Sequence, residues 1–241
     1  MKIIAIGGGD NGRVKILPDG TKKQYPLDNI PINKKIIEMT GKSNPNILFL
    51  GTAGKDSPNY TDYLMAHFSS LGANVSELRL VENPPTESEI RNILSNTDAI
   101  YVGGGDTRFM IDCWQKIGFD KLLQEYADTG MILSGLSAGA ICWFDYYDNE
   151  DYIQNETGQI DWNKLDLLPG LGFMHGFCVP HYNTKTKIEQ GFFDALAKKH
   201  NIPGWAIDNN AAIIFDNGKI TTVASQPNMS VHYLNTQPGQ F

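Results

Sequence analysis

Met131-Ile132-Leu133-Ser134-Gly135-Leu136-Ser137-Ala138-Gly139-Ala140 is the stretch from which the rest of the chain can be read. An apolar run passes into G-x-S-x-G and then into small, helix-compatible residues: a strand, a sharp turn and a helix start, with a serine at the tip. A serine on such a turn sits in strained backbone, and the chain must pass close to itself two positions to either side. Gly135 and Gly139 meet that need. The turn also aims the first N–H groups of the helix, Ala138 foremost, towards the serine oxygen, where they and the helix dipole stabilise a developing oxyanion. Ser137 is therefore the candidate nucleophile. The competing interpretation is a glycine-rich turn with an incidental serine.

Working outward, short β-branched runs that end in glycine or polar residues alternate with segments of helical period, which predicts an α/β protein with a mainly parallel sheet. Strands are expected at Ile3–Ile6, Asn46–Leu50, Asn74–Leu80, Ala99–Val102, Met131–Ser134, Phe177–Pro180 and Trp205–Ile207. A hairpin of Ala211–Phe215 and Ile220–Ala224 follows, around Asp216-Asn217-Gly218, where the Asn-Gly pair is a strong turn signal. Helices are expected at Pro31–Met39, Tyr60–Leu71, Glu87–Ser95, Thr107–Ile117, Phe119–Tyr126, Ala138–Phe144 and Lys185–His200. Asp10–Asn29 and Asp145–Lys164 break the alternation and read as excursions from the sheet. With no internal repeat and no Pro/Ser-rich linker, the expectation is one domain over residues 1–241.

Composition removes several function classes. A net charge of −7, from 20 basic and 27 acidic residues without a basic run, offers no footprint for a phosphate backbone, so no nucleic acid partner is expected. No segment approaches ~18 apolar residues, and the opening Met-Lys-Ile-Ile-Ala-Ile-Gly-Gly-Gly turns to glycine too early for a secretory leader. The expectation is a cytoplasmic protein with no membrane partner. Cys113, Cys142 and Cys178 are widely spaced in apolar surroundings and read as reduced core residues, and no metal-ligand spacing is present.

A second glycine run, Gly103-Gly104-Gly105-Asp106-Thr107, also ends an expected strand, at the sheet edge where ligands bind in open α/β folds. Its bare backbone could supply a second oxyanion donor beside Ala138. The rival reading is a phosphate cradle, prompted by the similar Gly7-Gly8-Gly9-Asp10, but neither run completes a dinucleotide or P-loop pattern. Of five histidines, His181 is best placed as a base: it ends the Phe177–Pro180 strand, read here as reaching the same sheet edge as Ser137. His67 and His200 fall in helical patterns, His175 precedes its strand and His232 lies in the C-terminal tail. An acid to orient the imidazole is ambiguous: Asp145-Tyr146-Tyr147-Asp148-Asn149-Glu150-Asp151 offers four carboxylates, most of them surface charge, and Asp208 ends another strand. Trp143, Phe144, Tyr146 and Tyr147 could line a pocket or pack in the core.

Taken together, Gly103–Thr107, Gly135–Ala140 and Pro180-His181-Tyr182-Asn183, in this order and spacing, resemble the dipeptidase E family of serine peptidases, which includes the cyanophycinases. The resemblance covers nearly the whole chain. It implies a flavodoxin-like three-layer sandwich related to class I glutamine amidotransferases, with a serine where those carry an elbow cysteine. It further implies Ser137 as nucleophile, His181 as base, the amides of Gly105 and Ala138 as oxyanion hole, and a third member after the elbow helix, for which Glu150 is chosen and Asp151 is second. Asp106 and Asn183, inside the matching motifs, are taken as substrate-binding. The implied reaction is acyl transfer on short peptides with no cofactor or metal, by a dipeptidase or exopeptidase, aspartyl or β-aspartyl residues being favoured on the acyl side. Arg108, Lys185 and Lys187 are the cations near the motifs that could meet such a residue. Asp10–Asn29 has no counterpart in the short dipeptidase E type. Two other functions remain: a non-catalytic small-molecule or nucleotide-binding module on the same fold, and an amidase acting on a non-peptide amide.

Overall fold

The computed structural model describes residues 1–12, 14–26 and 28–234. In chain order its elements begin with β1 (Lys2–Ile6), β2 (Val14–Ile16), β3 (Lys22–Gln24), α1 (Ile30–Thr40), β4 (Asn46–Leu50), α2 (Pro58–Ser70), β5 (Asn74–Glu77), α3 (Glu87–Ser95) and β6 (Ala99–Val102). They continue with α4 (Thr107–Ile117), α5 (Phe119–Ala127), β7 (Ile132–Leu136), α6 (Ala138–Ile141), β8 (Phe144–Asp148), β9 (Leu167–Pro169) and β10 (Met174–Val179). The last are α7 (Lys187–His200), β11 (Gly204–Ile207), β12 (Ala211–Asp216), β13 (Lys219–Ala224) and β14 (Val231–Leu234).

The central sheet runs β13-β12-β1-β7-β6-β4-β5. Neighbours from β1 to β5 pair in parallel, and the β12–β13 hairpin closes the other edge antiparallel. Its inner strands β1, β4, β6 and β7 read as largely apolar runs because both faces are covered. In β1, Ile3 and Ala5 join one core while Ile4 and Ile6 join the other; in β4, Leu48 and Leu50 face one side, Ile47 and Phe49 the opposite side. Ile32 and Ile36 of α1 with Leu64 and Phe68 of α2 cover one face, and Leu94, Trp114 and Leu123 of α3, α4 and α5 cover the other. This is the α/β fold with a mainly parallel sheet and a C-terminal hairpin that the pattern predicts, layered as the sandwich that the resemblance implies.

The second sheet is the main departure. Its order is β14-β11-β10-β8-β9, with β8, β10 and β11 parallel. The Phe177–Pro180 strand, read as reaching the same sheet edge as Ser137, belongs to this sheet instead, together with the Trp205–Ile207 strand. One face, with Phe144, Met174, Cys178 and Ile207, packs into the core of the central sheet, and the other, with Phe177, Val179 and Ala206, packs under α7. The elbow helix is a single turn, and β8 starts at Phe144, inside what the period suggests is helix and excursion. Trp143 and Phe144 are wholly buried, so they are core. In Asp10–Asn29 the β2–β3 ribbon appears; Arg13 and Leu27 of that stretch lie outside the described residues.

The elbow sits on the middle strand, β7, between β1 and β6. A Cβ on Gly135 would overlap the Gly139 carbonyl oxygen, and one on Gly139 would overlap that of Val102. Gly191, inside α7, has no atom within 4 Å of its would-be Cβ. Gly139→Ala is therefore expected to cost about 1–3 kcal/mol or more by forcing backbone apart, while Gly191→Ala gains up to about 1 kcal/mol of helix propensity. Urea unfolding of the two variants checks this, and equal midpoints would contradict it.

Candidate active site

Ser137 has φ 58° and ψ −115°, backbone that side chains rarely adopt. The turn is held from both sides: the Ser137 N–H donates to Ile6 O at 3.0 Å, and Ser137 O accepts from Ala140 and Ile141 at 2.8 and 2.9 Å. Ala138 begins the one-turn α6, so its N–H has no intrahelical acceptor. Among the described residues neither that N–H nor the Gly105 N–H has a protein partner, and both residues border a cavity that Ser137 shares.

His181 reaches the serine from the other sheet. It follows β10 in a left-handed conformation, φ 54°, and its N–H donates to Gly7 O at 3.1 Å, which ties the second sheet to the end of β1. Nε2 lies 2.9 Å from Ser137 Oγ and Nδ1 lies 2.6 Å from Asn209 Oδ1. An amide oxygen only accepts, so Nδ1 carries the hydrogen and Nε2 turns a lone pair to the serine hydroxyl. Burial holds the His181 pKa below the ordinary imidazole value, with the Asn209 contact opposing it. The other histidines have different partners: His67 meets Asn33, His175 meets Asp145, His200 meets Asp166 and His232 meets Asp208.

The third position differs from the expectation. Glu150 does not touch His181; its carboxylate holds Lys185 Nζ at 2.6 Å, with both side chains less than a fifth exposed. Asp151, the second choice, is exposed and acts on His181 only as a nearby charge. Asp208, the other carboxylate considered, is buried and turned to the Ser230 N–H and His232. The residue that reaches Nδ1 is its neighbour, Asn209. A search for a charge passes over it; its place at the carboxyl end of β11, level with His181 after β10, is the available signal.

Asp106 caps α4 through the Phe109 N–H at 3.0 Å and accepts the Tyr152 hydroxyl at 2.6 Å. Asn183 Oδ1 accepts the Asn209 N–H at 2.9 Å. Within the protein, then, Asp106 starts a helix and Asn183 fastens the Asn209 loop. Gly7 and Gly8, weighed as a phosphate cradle, are filled by the protein itself. A Cβ on Gly8 would overlap both Asn209 Oδ1 and His181 Nδ1, and one on Gly7 would overlap the Asp208 carbonyl.

Two cavities meet at Ser137 and His181. One, of about 490 Å³, is walled by Tyr60, Tyr63 and Leu136 and by the glycine loops after β1 and β6. The other, of about 310 Å³, is lined by Tyr147, Tyr152, Asp148, Glu150, Asp151 and Lys185 among others. Desolvation, reinforced by Glu150, pushes the Asp148 pKa up to about 7. Lys185 is the one of the three motif-adjacent cations that lines either cavity; Arg108 faces Asp112 and the Tyr152 ring, and Lys187 bonds Gln190. Among the described residues no group of three His, Cys, Asp or Glu side chains converges to hold a metal ion, and no helix is long and apolar enough to cross a membrane.

Residues 19–223 match the model of peptidase family S51. The chain belongs to that family. This S51 chain is 32% identical over 226 residues to the uncharacterised peptidase YgaJ of Bacillus subtilis, covering 93% of the chain and 88% of YgaJ. It is 29% identical to an uncharacterised peptidase of Pasteurella multocida, covering 72% and 83% of the two chains. Among solved structures, a peptidase from an acI-B1 Actinobacterium superposes with a TM-score of 0.71 at 20% identity, over 99% of this chain and 92% of that one. A Listeria monocytogenes protein provisionally assigned as peptidase E gives 0.65, also at 20%, over 92% and 98%. The resemblance to the dipeptidase E family is thus confirmed, and the S51 protein is a serine-type peptidase.

With its pKa lowered by burial, the His181 imidazole should take up a proton only below the ordinary value of 6.5. The rate of fluorophosphonate labelling at Ser137 is expected to stay level as pH falls to that point and to decline beneath it. A midpoint above 6.5 would contradict the assigned environment of His181.

Proposed function

We propose that the protein hydrolyses short peptides by acyl transfer, with Ser137 as nucleophile and His181 as general base. The observation that carries this reading is the 2.9 Å approach of His181 Nε2 to the hydroxyl of a serine on a strained elbow. Ser137 Oγ forms a bond to the scissile carbonyl carbon as its proton passes to Nε2, and the negative charge on the carbonyl oxygen is met by the N–H groups of Gly105 and Ala138. The imidazolium then protonates the leaving amine as the C–N bond breaks, and a water activated by the same histidine releases the acyl group. Asn209 keeps the ring in the productive tautomer, and Gly8 leaves room for that contact.

Two modest cavities meeting at the nucleophile fit a residue on each side of one peptide bond, which favours a dipeptidase or exopeptidase. The charged cavity sets three carboxylates around one ammonium. That balance suits a free α-ammonium better than an acidic side chain, since Lys185, the cation an aspartyl group would seek, is already held by Glu150. An aspartyl preference therefore requires Lys185 to exchange Glu150 for substrate. A non-peptide amide would use the same serine, so the substrate panel separates that reading.

Release of amino acids from neutral, aspartyl and β-aspartyl dipeptides is expected from the wild type and absent in Ser137→Ala at unchanged thermal stability. Asn209→Ala is expected to lower kcat/KM by about 10²-fold, the scale of losing an oriented base, and N-acetylation of the best dipeptide should abolish cleavage. Equal turnover by wild type and Ser137→Ala would refute the assignment. Unimpaired cleavage of the acetylated peptide would refute the exopeptidase component.

A further inference from the structure

Tyr60, in the first turn of α2, reaches across to the glycine loop that follows β6. Its Oη accepts the Gly104 N–H at 2.8 Å, and its ring stands where a Cβ on Gly103 would come within 2.8 Å of Cε1. The neighbouring amides are also engaged: Gly103 N–H donates to Leu50 O and Asp106 N–H to Ala53 O, each at 2.9 Å. The Gly105 N–H lies between these fixed amides and borders the cavity at Ser137. Planar peptide units are joined through only two soft torsions per residue, so clamping the amides on both sides sets the direction of the one between them.

The loop also lies directly against the nucleophile. A Cβ on Gly104 would sit 3.2 Å from Ser137 Cβ, and Gly105 has φ +147°, where any side chain would overlap Ala53 O. Tyr60 itself is braced: its ring stacks on Tyr63 at 5.2 Å and 22°, and meets Phe49 edge-on at 5.4 Å. The same two tyrosines, with Leu136, form the apolar wall of the larger cavity. One side chain therefore touches both the loop that carries an oxyanion donor and the space beside the scissile bond.

Resting on the acyl-transfer reading above, we propose that Tyr60 is a positioning residue that holds the Gly103–Gly105 loop on Ser137. The tyrosine-walled cavity it shares with Tyr63 and Leu136 takes a bulky apolar or aromatic side chain flanking the scissile bond. A substrate side chain on the Tyr60 ring packs against the brace that holds the oxyanion loop, so specificity and rate are linked through one residue.

The test compares full-length wild type, Tyr60→Phe and Tyr63→Ala on Ala-Ala, Phe-Ala and Ala-Phe, with fluorophosphonate labelling of Ser137 measured in parallel. Tyr60→Phe retains the ring and loses the acceptor for Gly104. Its kcat and labelling rate should fall about 10-fold, KM should stay within about twofold, and the melting temperature should hold, because misplacement by about an ångström costs up to 10²-fold in rate. Wild type should prefer one phenylalanine-containing peptide over Ala-Ala, and Tyr63→Ala should reduce that preference about 10-fold, as a lost hydrophobic contact does. Unchanged kcat and labelling in Tyr60→Phe would overturn the positioning role, and an absent or unaltered preference would overturn the cavity assignment. A wild type that neither labels nor turns over any peptide would instead refute the underlying peptidase reading.

Discussion

The carboxyl end of β1 is the junction on which the site depends. Ile6 O takes the Ser137 N–H, Gly7 O takes the His181 N–H, the Gly7 N–H goes to Ala211 O, and Gly8 O accepts from the Asn210 N–H and Asn29 Nδ2. Three consecutive residues thus fix the elbow from the central sheet, the base from the second sheet and the loop that carries Asn209. Only bare backbone can do this, because a Cβ on Gly8 would occupy the space in which His181 meets Asn209. The buried amide and carbonyl groups gathered there are costly to leave unpaired, so the junction is stable as a set rather than bond by bond.

An amide in third place alters the electrostatics of the base. A carboxylate would both orient the ring and favour its charged form; Asn209 orients it without a charge. The neutral imidazole is favoured by burial and by the positive charge of Lys185; the Asn209 contact opposes them, and Asp151 does so at a distance. Burial therefore favours the neutral imidazole, the form that the proposed reaction requires of a base. The carboxylates that the sequence offers for the triad serve the cavity instead, with Glu150 held by Lys185 and Asp148 pushed up to about 7.

How much of this was legible in the sequence follows from how local each signal is. Strands β1, β4, β6 and β7 are apolar on both faces, so their runs announce a covered parallel sheet. The elbow is legible because its glycines answer a steric need confined to a few residues. β8 is not, since Phe144–Asp148 becomes a strand by pairing with β10 and β9, across a long stretch of chain. The same non-local pairing moves His181 to a second sheet while leaving it at the serine. Asp208 lies one residue before the contact with His181, which an amide makes rather than a charge, so carboxylate chemistry alone does not mark it. Tyr60 carries no sequence mark, as a tyrosine in a half-buried helix is ordinary packing until the fold lays it on Gly104.

The central claim, that Asn209 sets His181 as the neutral base facing Ser137, is tested most directly by the protonation state of the imidazole nitrogens. Nitrogen NMR of histidine-labelled protein at neutral pH, with His181 assigned by substitution, should show a hydrogen on Nδ1 and none on Nε2, and Asn209→Ala should blur that preference into a mixture. A ring protonated on Nε2, or one whose tautomer ignores the loss of Asn209, would contradict the account.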